Sequence, residues 1–128
     1  MVVDSSALVA IVLDEPDADL FARSIERAED PLLSTVSFVE SAMVLFGRLG
    51  EEGLQQLDHV VVESDLFCVA VDLRQAQAAR EAWRKFGKGN SPARLNLGDC
   101  FSYALARTLN RPLLFKGGDF LRTDVAVA

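Results

Sequence analysis

The feature that most constrains the fold is the opening of the chain. Met1, Val2 and Val3 run straight into a carboxylate, Asp4, and then into Ser5-Ser6-Ala7-Leu8-Val9-Ala10-Ile11-Val12-Leu13 without a Gly or Pro. This pattern reads as a short buried strand feeding a helix, with Asp4 at the strand's carboxyl end. In open α/β sheets that edge is where sites form. An ionised Asp there is costly unless it is paired or neutralised by a cation. What the chain does therefore depends on which other groups its fold brings to Asp4.

Downstream, helical and strand patterns alternate. Asp14-Glu15-Pro16 breaks the first helix; Asp14 is expected to cap a second helix, with Pro16 in its first turn and Asp17 and Asp19 near its positive end. Phe21, Ile25 and Ala28 follow at helical spacing as far as Glu29-Asp30-Pro31. Leu32 to Thr35 reads as a second strand. A third helix from Val36-Ser37 carries Phe38, Ala42, Leu45 and Leu49 on one face and ends at Gly50, with Glu40 off that stripe. Leu54, Leu57 and Val60 or Val61 mark a further helix from about Glu51 to Glu63. The uninterrupted apolar run Phe67 to Val71 predicts a parallel strand covered on both faces.

Leu73, Ala76, Ala79, Trp83 and Phe86 define the apolar stripe of the next helix, and residues 87–92 form a Gly-rich loop. Leu97-Gly98-Asp99 opens a helix whose expected core face is Phe101, Ala104, Leu105, Thr108 and Leu109. Leu113 to Phe115 is a strand running into Lys116-Gly117-Gly118-Asp119, and a last short strand is expected over Thr123 to Val127. Strands separated by helices, without repeats or linkers, predict a single three-layer α/β/α domain over residues 1–128 with a mainly parallel central sheet.

Composition excludes several classes. Half of the residues are hydrophobic and a quarter charged, which describes a globular chain. The longest apolar run, Ala7 to Leu13, is far short of a membrane span. The amino terminus has neither a basic region nor a small-residue cleavage motif, which argues against a secretory leader. Cys68 and Cys100 lie in apolar surroundings and read as two buried thiols in a reducing cytoplasm. A net charge of −6 argues against a simple electrostatic nucleic-acid binder but not against a nuclease, whose acidic site is compensated by a divalent cation.

Four acids from distant segments fall on one edge. Asp4 and Asp119 each follow a strand, and Glu40 is early in a helix that leaves one. Asp99 begins a helix antiparallel to the sheet, so its amino end lies at the same carboxyl edge. Singly, Asp4 and Asp99 read equally well as helix caps, Glu40 as a solvated residue and Asp119 as a turn residue. Together they form a like-charged set that demands neutralisation, and all-oxygen ligands suit Mg²⁺ or Mn²⁺. Competing chemistry is missing: His59 is the one histidine, and no zinc spacing or phosphate-binding glycine loop occurs.

At these residues the sequence resembles the PIN-domain ribonuclease toxins of VapC type, which act in VapBC toxin–antitoxin pairs. The resemblance runs through residues 2–11, through Ser34-Thr35-Val36-Ser37-Phe38-Val39-Glu40, through residues 93–106 and through Leu113-Leu114-Phe115-Lys116-Gly117-Gly118-Asp119-Phe120. It implies a Mg²⁺-dependent RNA endonuclease, with Mn²⁺ able to substitute, restrained by a cognate antitoxin. By position it implies Asp4, Glu40, Asp99 and Asp119 as the catalytic acids and Ser6 as the supporting hydroxyl. Asp4 and Asp99 are then the expected metal ligands, with Glu40 and Asp119 acting through water. Gly118 stands where relatives often carry a polar residue, and Asp124 matches a recurrent acid of structural or secondary role.

Arg80, Arg84, Lys85, Lys88 and Arg94 concentrate positive charge just before Asp99, and with Lys116 they are the expected RNA contacts. Trp83 and Phe86 fit core packing better than base stacking. The apolar stripes at Leu20, Phe21 and Ile25 and at Phe38, Ala42 and Leu45 serve the core, a homodimer or the antitoxin. Two other functions compete. A receiver-like phospho-acceptor domain would use Asp72 and Lys116, although it wants paired acids where this chain has Asp4-Ser5-Ser6. A binding module without catalysis is the other.

Overall fold

The computed structural model describes all of residues 1–128. Val2 and Val3 form strand β1, which lies inside a four-stranded, wholly parallel sheet. Its neighbours are β2 (Leu32–Ser34) and β4 (Leu113–Leu114), and β3 (Phe67–Val69) lies beyond β2 in the order β3-β2-β1-β4. Strand side chains alternate between faces, and the register places Val2 beside Leu32 and Leu113, and Val3 beside Leu33 and Leu114. Each set feeds a different core.

On the Val2 side, Leu113 packs with Ala79 and Ala82 of α5 (Leu73–Phe86) and with Cys100, Tyr103, Ala104, Leu105 and Ala106 of α6 (Leu97–Leu109). On the Val3 side, Leu33 packs with α1 (Ser5–Val12), α2 (Ala18–Glu26), α3 (Thr35–Leu49) and α4 (Glu51–Glu63), through Leu8, Phe21, Ile25, Leu45 and Leu57. The three-layer α/β/α architecture is thus present as expected. Leu8, Leu33, Leu105 and Leu113 are wholly buried, so truncating any one to Ala costs about 2–5 kcal/mol.

The differences from the sequence reading have physical causes. Asp14 does not cap α2: it takes a left-handed conformation (φ 51°) just after α1, and the helix begins beyond Asp17. The run Phe67 to Val71 is an edge strand that ends at Val69, with Phe67 exposed, so continuous apolarity here did not mean cover on both faces. The stripe of α5 is only partly as expected: Ala79 is buried and Phe86 packs against the core, but Leu73 and Trp83 are exposed, while Ala82 packs beside α6 residues and Gln75 is buried with its amide donating to the Ala70 carbonyl. Leu109 is exposed and lies off the core face of α6, whereas Cys100 to Ala106 are buried save for the partly exposed Phe101. The expected final strand is reduced to one bridge, Leu113 to Val127, preceded by a 3₁₀ turn at Phe120–Arg122. Cys100 is buried and Cys68 only partly so, both as free thiols.

Candidate active site

Asp4 leaves β1 at its carboxyl end and is itself the N-cap of α1. Capping thus keeps the Asp4 carboxylate at the sheet edge, where its charge also reaches Glu40 and Asp99. The Asp4 carboxylate is 1 % exposed and both oxygens are held. Oδ2 accepts the Ser6 N–H at 3.0 Å and the Ser6 hydroxyl at 2.6 Å. The Lys116 backbone N–H donates in turn to the Ser6 hydroxyl at 2.9 Å, tying the loop after β4 to the site. Oδ1 accepts the hydroxyl of Ser102, from α6, at 2.6 Å.

Asp99 occupies the third position of α6 and closes a capping box with Asn96. Its Oδ2 accepts the Asn96 N–H at 2.9 Å, and its own N–H donates to Asn96 Oδ1 at 2.8 Å. That hydrogen bond favours the charged form, but burial and the charges of Asp4, Glu40 and Asp119 outweigh it. Burial is the larger cause, and the carboxyl is pushed up to about 7. Glu40, in the second turn of α3, is also raised, by burial and by the charge of Asp4, against the opposing hydrogen bond donated by the Ser5 hydroxyl. Glu40 lies against the backbone of α6 at Gly98, where a Cβ would overlap its carboxylate, so only glycine leaves it room. Asp119 is exposed and shares with Asp99 a cavity of about 360 Å³, also lined by Lys88, Arg94 and Asn96. All four acids thus meet at one edge. No three acid, His or Cys side chains draw close enough to ligate one ion directly.

The expected cations divide. Lys88 and Arg94 line both the acid cavity and an adjoining one of about 500 Å³ formed by residues 88–92 and Arg94. Arg94 holds a left-handed backbone (φ 59°), which places its side chain there at a conformational cost. Arg84 is paired with Glu81 at 3.0 Å, and Lys116 is paired with Glu15 and lies 3.7 Å from Asp17. Arg80 borders a separate apolar cavity beside Trp83, Leu97 and Phe101, and Lys85 is exposed on the same helix. Asp124 accepts the Tyr103 hydroxyl at 2.6 Å and fastens the C-terminal segment to α6. Asp72 caps α5 through the Gln75 N–H at 2.8 Å, and Lys116, the cation a phospho-acceptor would set beside it, is paired with Glu15 instead.

Ser5, Ser37, Asn96 and Ser102 were not singled out from the sequence. For the serines the available signal was a hydroxyl close in sequence to a candidate acid, and for Asn96 it was a capping side chain three residues before Asp99. A second surface was also unforeseen. Phe21, Ile25 and Leu45 are buried in the core and Phe38 and Ala42 pack against it, whereas Val39, Met43, Val44 and Phe46 stand exposed on the other face of α3. With Thr35, Val36, Leu97, Gly98 and Glu40, the first three of these line a groove of about 610 Å³ that reaches the acid site.

The chain as a whole is similar to known proteins. The PIN domain family model matches residues 1–126. A ribonuclease VapC from Mycolicibacterium smegmatis is 52% identical over 128 residues, covering 98% of each chain. Ribonuclease VapC30 from Mycobacterium tuberculosis is 50% identical over 126 residues, covering 98% of this chain and 96% of its own. The crystal structure of VapC20, a sarcin–ricin loop cleaving toxin of Mycobacterium tuberculosis, superposes with a TM-score of 0.80 at 16% identity, over 99% of this chain and 97% of that one, and so shares the fold. With the family model spanning nearly its whole length and half its residues identical to named relatives, the chain belongs to the PIN-domain family, in its VapC ribonuclease branch.

Proposed function

We propose that the chain is a metal-dependent endoribonuclease, the toxin of a toxin–antitoxin pair, cleaving RNA phosphodiester bonds at the edge defined by Asp4, Glu40, Asp99 and Asp119. The observation that carries this reading is the meeting of four carboxylates from four segments, with Asp99 pushed up to about 7 by burial and by the other three. The donor set fits Mg²⁺ or Mn²⁺. It is all oxygen, and acids too far apart to surround one ion suit a cation that takes one or two carboxylates and retains several waters. Asp4 and Asp99 would hold the cation. When bound, it supplies Lewis acidity at the phosphoryl oxygen and a water of lowered pKa.

The chain's own groups do the rest. Ser6 holds Asp4 Oδ2, and Asn96 holds Asp99 Oδ2, so both carboxylates are oriented before substrate arrives. Glu40 and Asp119 flank them as acceptors for water. Lys88 and Arg94, lining the route to Asp99, bind the phosphates on either side of the scissile one, and Arg80 and Lys85 extend that contact, while Arg84 and Lys116 are held back by Glu81 and Glu15. The groove beside Glu40 takes an antitoxin segment bearing apolar side chains and a cation, and the exposed strip with Phe46 favours a homodimer. No helix is long and apolar enough to cross a membrane.

Purified protein incubated with RNA should cleave with Mg²⁺ or Mn²⁺, stop on chelation and stop in Asp4→Asn. Cleavage that survives both chelation and Asp4→Asn would overturn this reading.

A further inference from the structure

A line of buried hydroxyls runs from the interior to the first acid. Ser37 in α3 and Ser102 in α6 are both 0 % exposed, and their oxygens lie 2.9 Å apart. Ser102 donates to Asp4 Oδ1 at 2.6 Å. An ionised carboxylate only accepts, so the single Ser102 proton points at Asp4, and the proton between the two hydroxyls belongs to Ser37. The order is therefore Ser37 to Ser102 to Asp4, each donor polarising the next. The arrangement mirrors the other side of the carboxylate, where the Lys116 N–H donates to Ser6 and Ser6 donates to Oδ2. Asp4 is thus clamped from both sides, and three of its roughly four acceptor positions are occupied.

We propose that Ser102, backed by Ser37, is a positioning residue that sets the plane of the Asp4 carboxylate so that its remaining acceptor position faces Asp99. The geometry carries this. Ser102 lies one turn after Asp99 on the same helix, so one rigid element supplies both a metal-site acid and the clamp on the other. Ser37 lies one turn before Glu40 on α3, so the same line registers the third acid as well. Neither serine has another side-chain partner, and neither borders a cavity described above. A fully buried hydroxyl pair is costly unless its chain of donors ends on a strong acceptor, and Asp4 is that acceptor.

This inference rests on the reading of Asp4 as a metal ligand, and the test separates the two. Mn²⁺ binding is measured by the electron paramagnetic resonance of free Mn²⁺, with thermal unfolding as the fold control and the Mg²⁺ dependence of RNA cleavage in parallel. Ser102→Ala should weaken Mn²⁺ binding roughly tenfold or more and raise the Mg²⁺ needed for half-maximal cleavage, with the KM for RNA unchanged. Ser37→Ala should act in the same direction and less strongly. The double variant should be no worse than Ser102→Ala alone, because Ser37 acts only through Ser102.

Wild-type affinity in folded Ser102→Ala, or additive losses in the double variant, would overturn the proposal while leaving the metal site intact. If Ser102→Ala does not fold, Ser37→Ala decides: weakened Mn²⁺ binding supports the line and unchanged binding refutes it. Wild-type Mn²⁺ affinity in Asp4→Asn would overturn the underlying reading and this inference together.

Discussion

Asp99→Asn should stabilise the metal-free protein, by an amount set by pH. Asn is nearly isosteric, and its carbonyl oxygen still accepts the Asn96 N–H that closes the capping box. What the change removes is a charge the fold disfavours. The Asp99 carboxyl rises from 3.8 to about 7, principally through burial. Between those values the unfolded chain has this group ionised while the folded chain keeps it protonated. The folded state then binds more protons, so stability falls as pH rises and levels off above the folded value.

Each pH unit is worth ~1.4 kcal/mol, which over the interval of roughly three units from 3.8 to about 7 makes about 4 kcal/mol. Partial contact of Asp99 with solvent reduces this to ~2 kcal/mol. For a domain of this length that is roughly 6–10 °C in Tm. Thermal melts of both proteins in chelator from pH 4 to pH 8.5 measure it. The two curves should nearly coincide at pH 4, diverge up to about pH 7 and then hold a constant separation, with the variant higher. Mg²⁺ at pH 8 should raise the wild-type Tm and leave the variant almost unmoved. Parallel curves, or a variant destabilised at pH 8, would refute the reasoning.

Three further predictions rest on other parts of the site. Gly98→Ala places a Cβ where the flexible end of Glu40 lies, so the side chain moves while the fold survives. Its unfolding free energy should stay within ~1 kcal/mol of wild type and cleavage should fall at least tenfold; unchanged cleavage would mean that the Glu40 position is immaterial. Arg94→Gly relieves a left-handed backbone, and that gain of about 1 kcal/mol offsets the entropy of glycine, so stability should hold. Non-cleaving Asp4→Asn protein carrying it should bind RNA more weakly, with a log–log salt slope shallower by about 0.7, whereas Arg84→Ala, already paired with Glu81, should leave the slope unchanged. Met43→Asp, on a side chain 72% exposed in the groove beside Glu40, should leave melting and RNA cleavage intact while abolishing antitoxin binding by calorimetry. Unaltered antitoxin affinity would remove that groove from the interface.

Much of this was legible in the sequence because local chemistry decided it. Val2 and Val3 make a buried strand in any context that pairs them, and Asp4 at its end then lies at the carboxyl edge. The helix Glu51–Glu63 matches its expected span because Gly50 and Ser64 bound an amphipathic pattern with nothing to compete. Gly98-Asp99 opens α6, as read. Helix direction and strand ends therefore brought Asp4, Glu40, Asp99 and Asp119 to one edge by topology alone.

Tertiary packing decided the rest. The apolar spacing of α5 marks a stripe through Leu73, Ala79 and Trp83, but of these only the small Ala79 is buried, and Ala82, outside the stripe, joins it in the core with α6. Lys88 and Arg94 were distinguished from their basic neighbours by the acid-lined cavity they share and by the pairs the fold had already made at Arg84 and Lys116. The serines were the least legible. Ser37 meets Ser102 across 65 residues and Ser102 meets Asp4 across 98, and a serine carries no periodicity that foretells its partner. Sequence by itself determined which acids reach the sheet edge, because strand ends and helix starts are local. Only the folded structure decided how each carboxylate is held there, because a hydrogen bond between distant segments exists only once they are packed together.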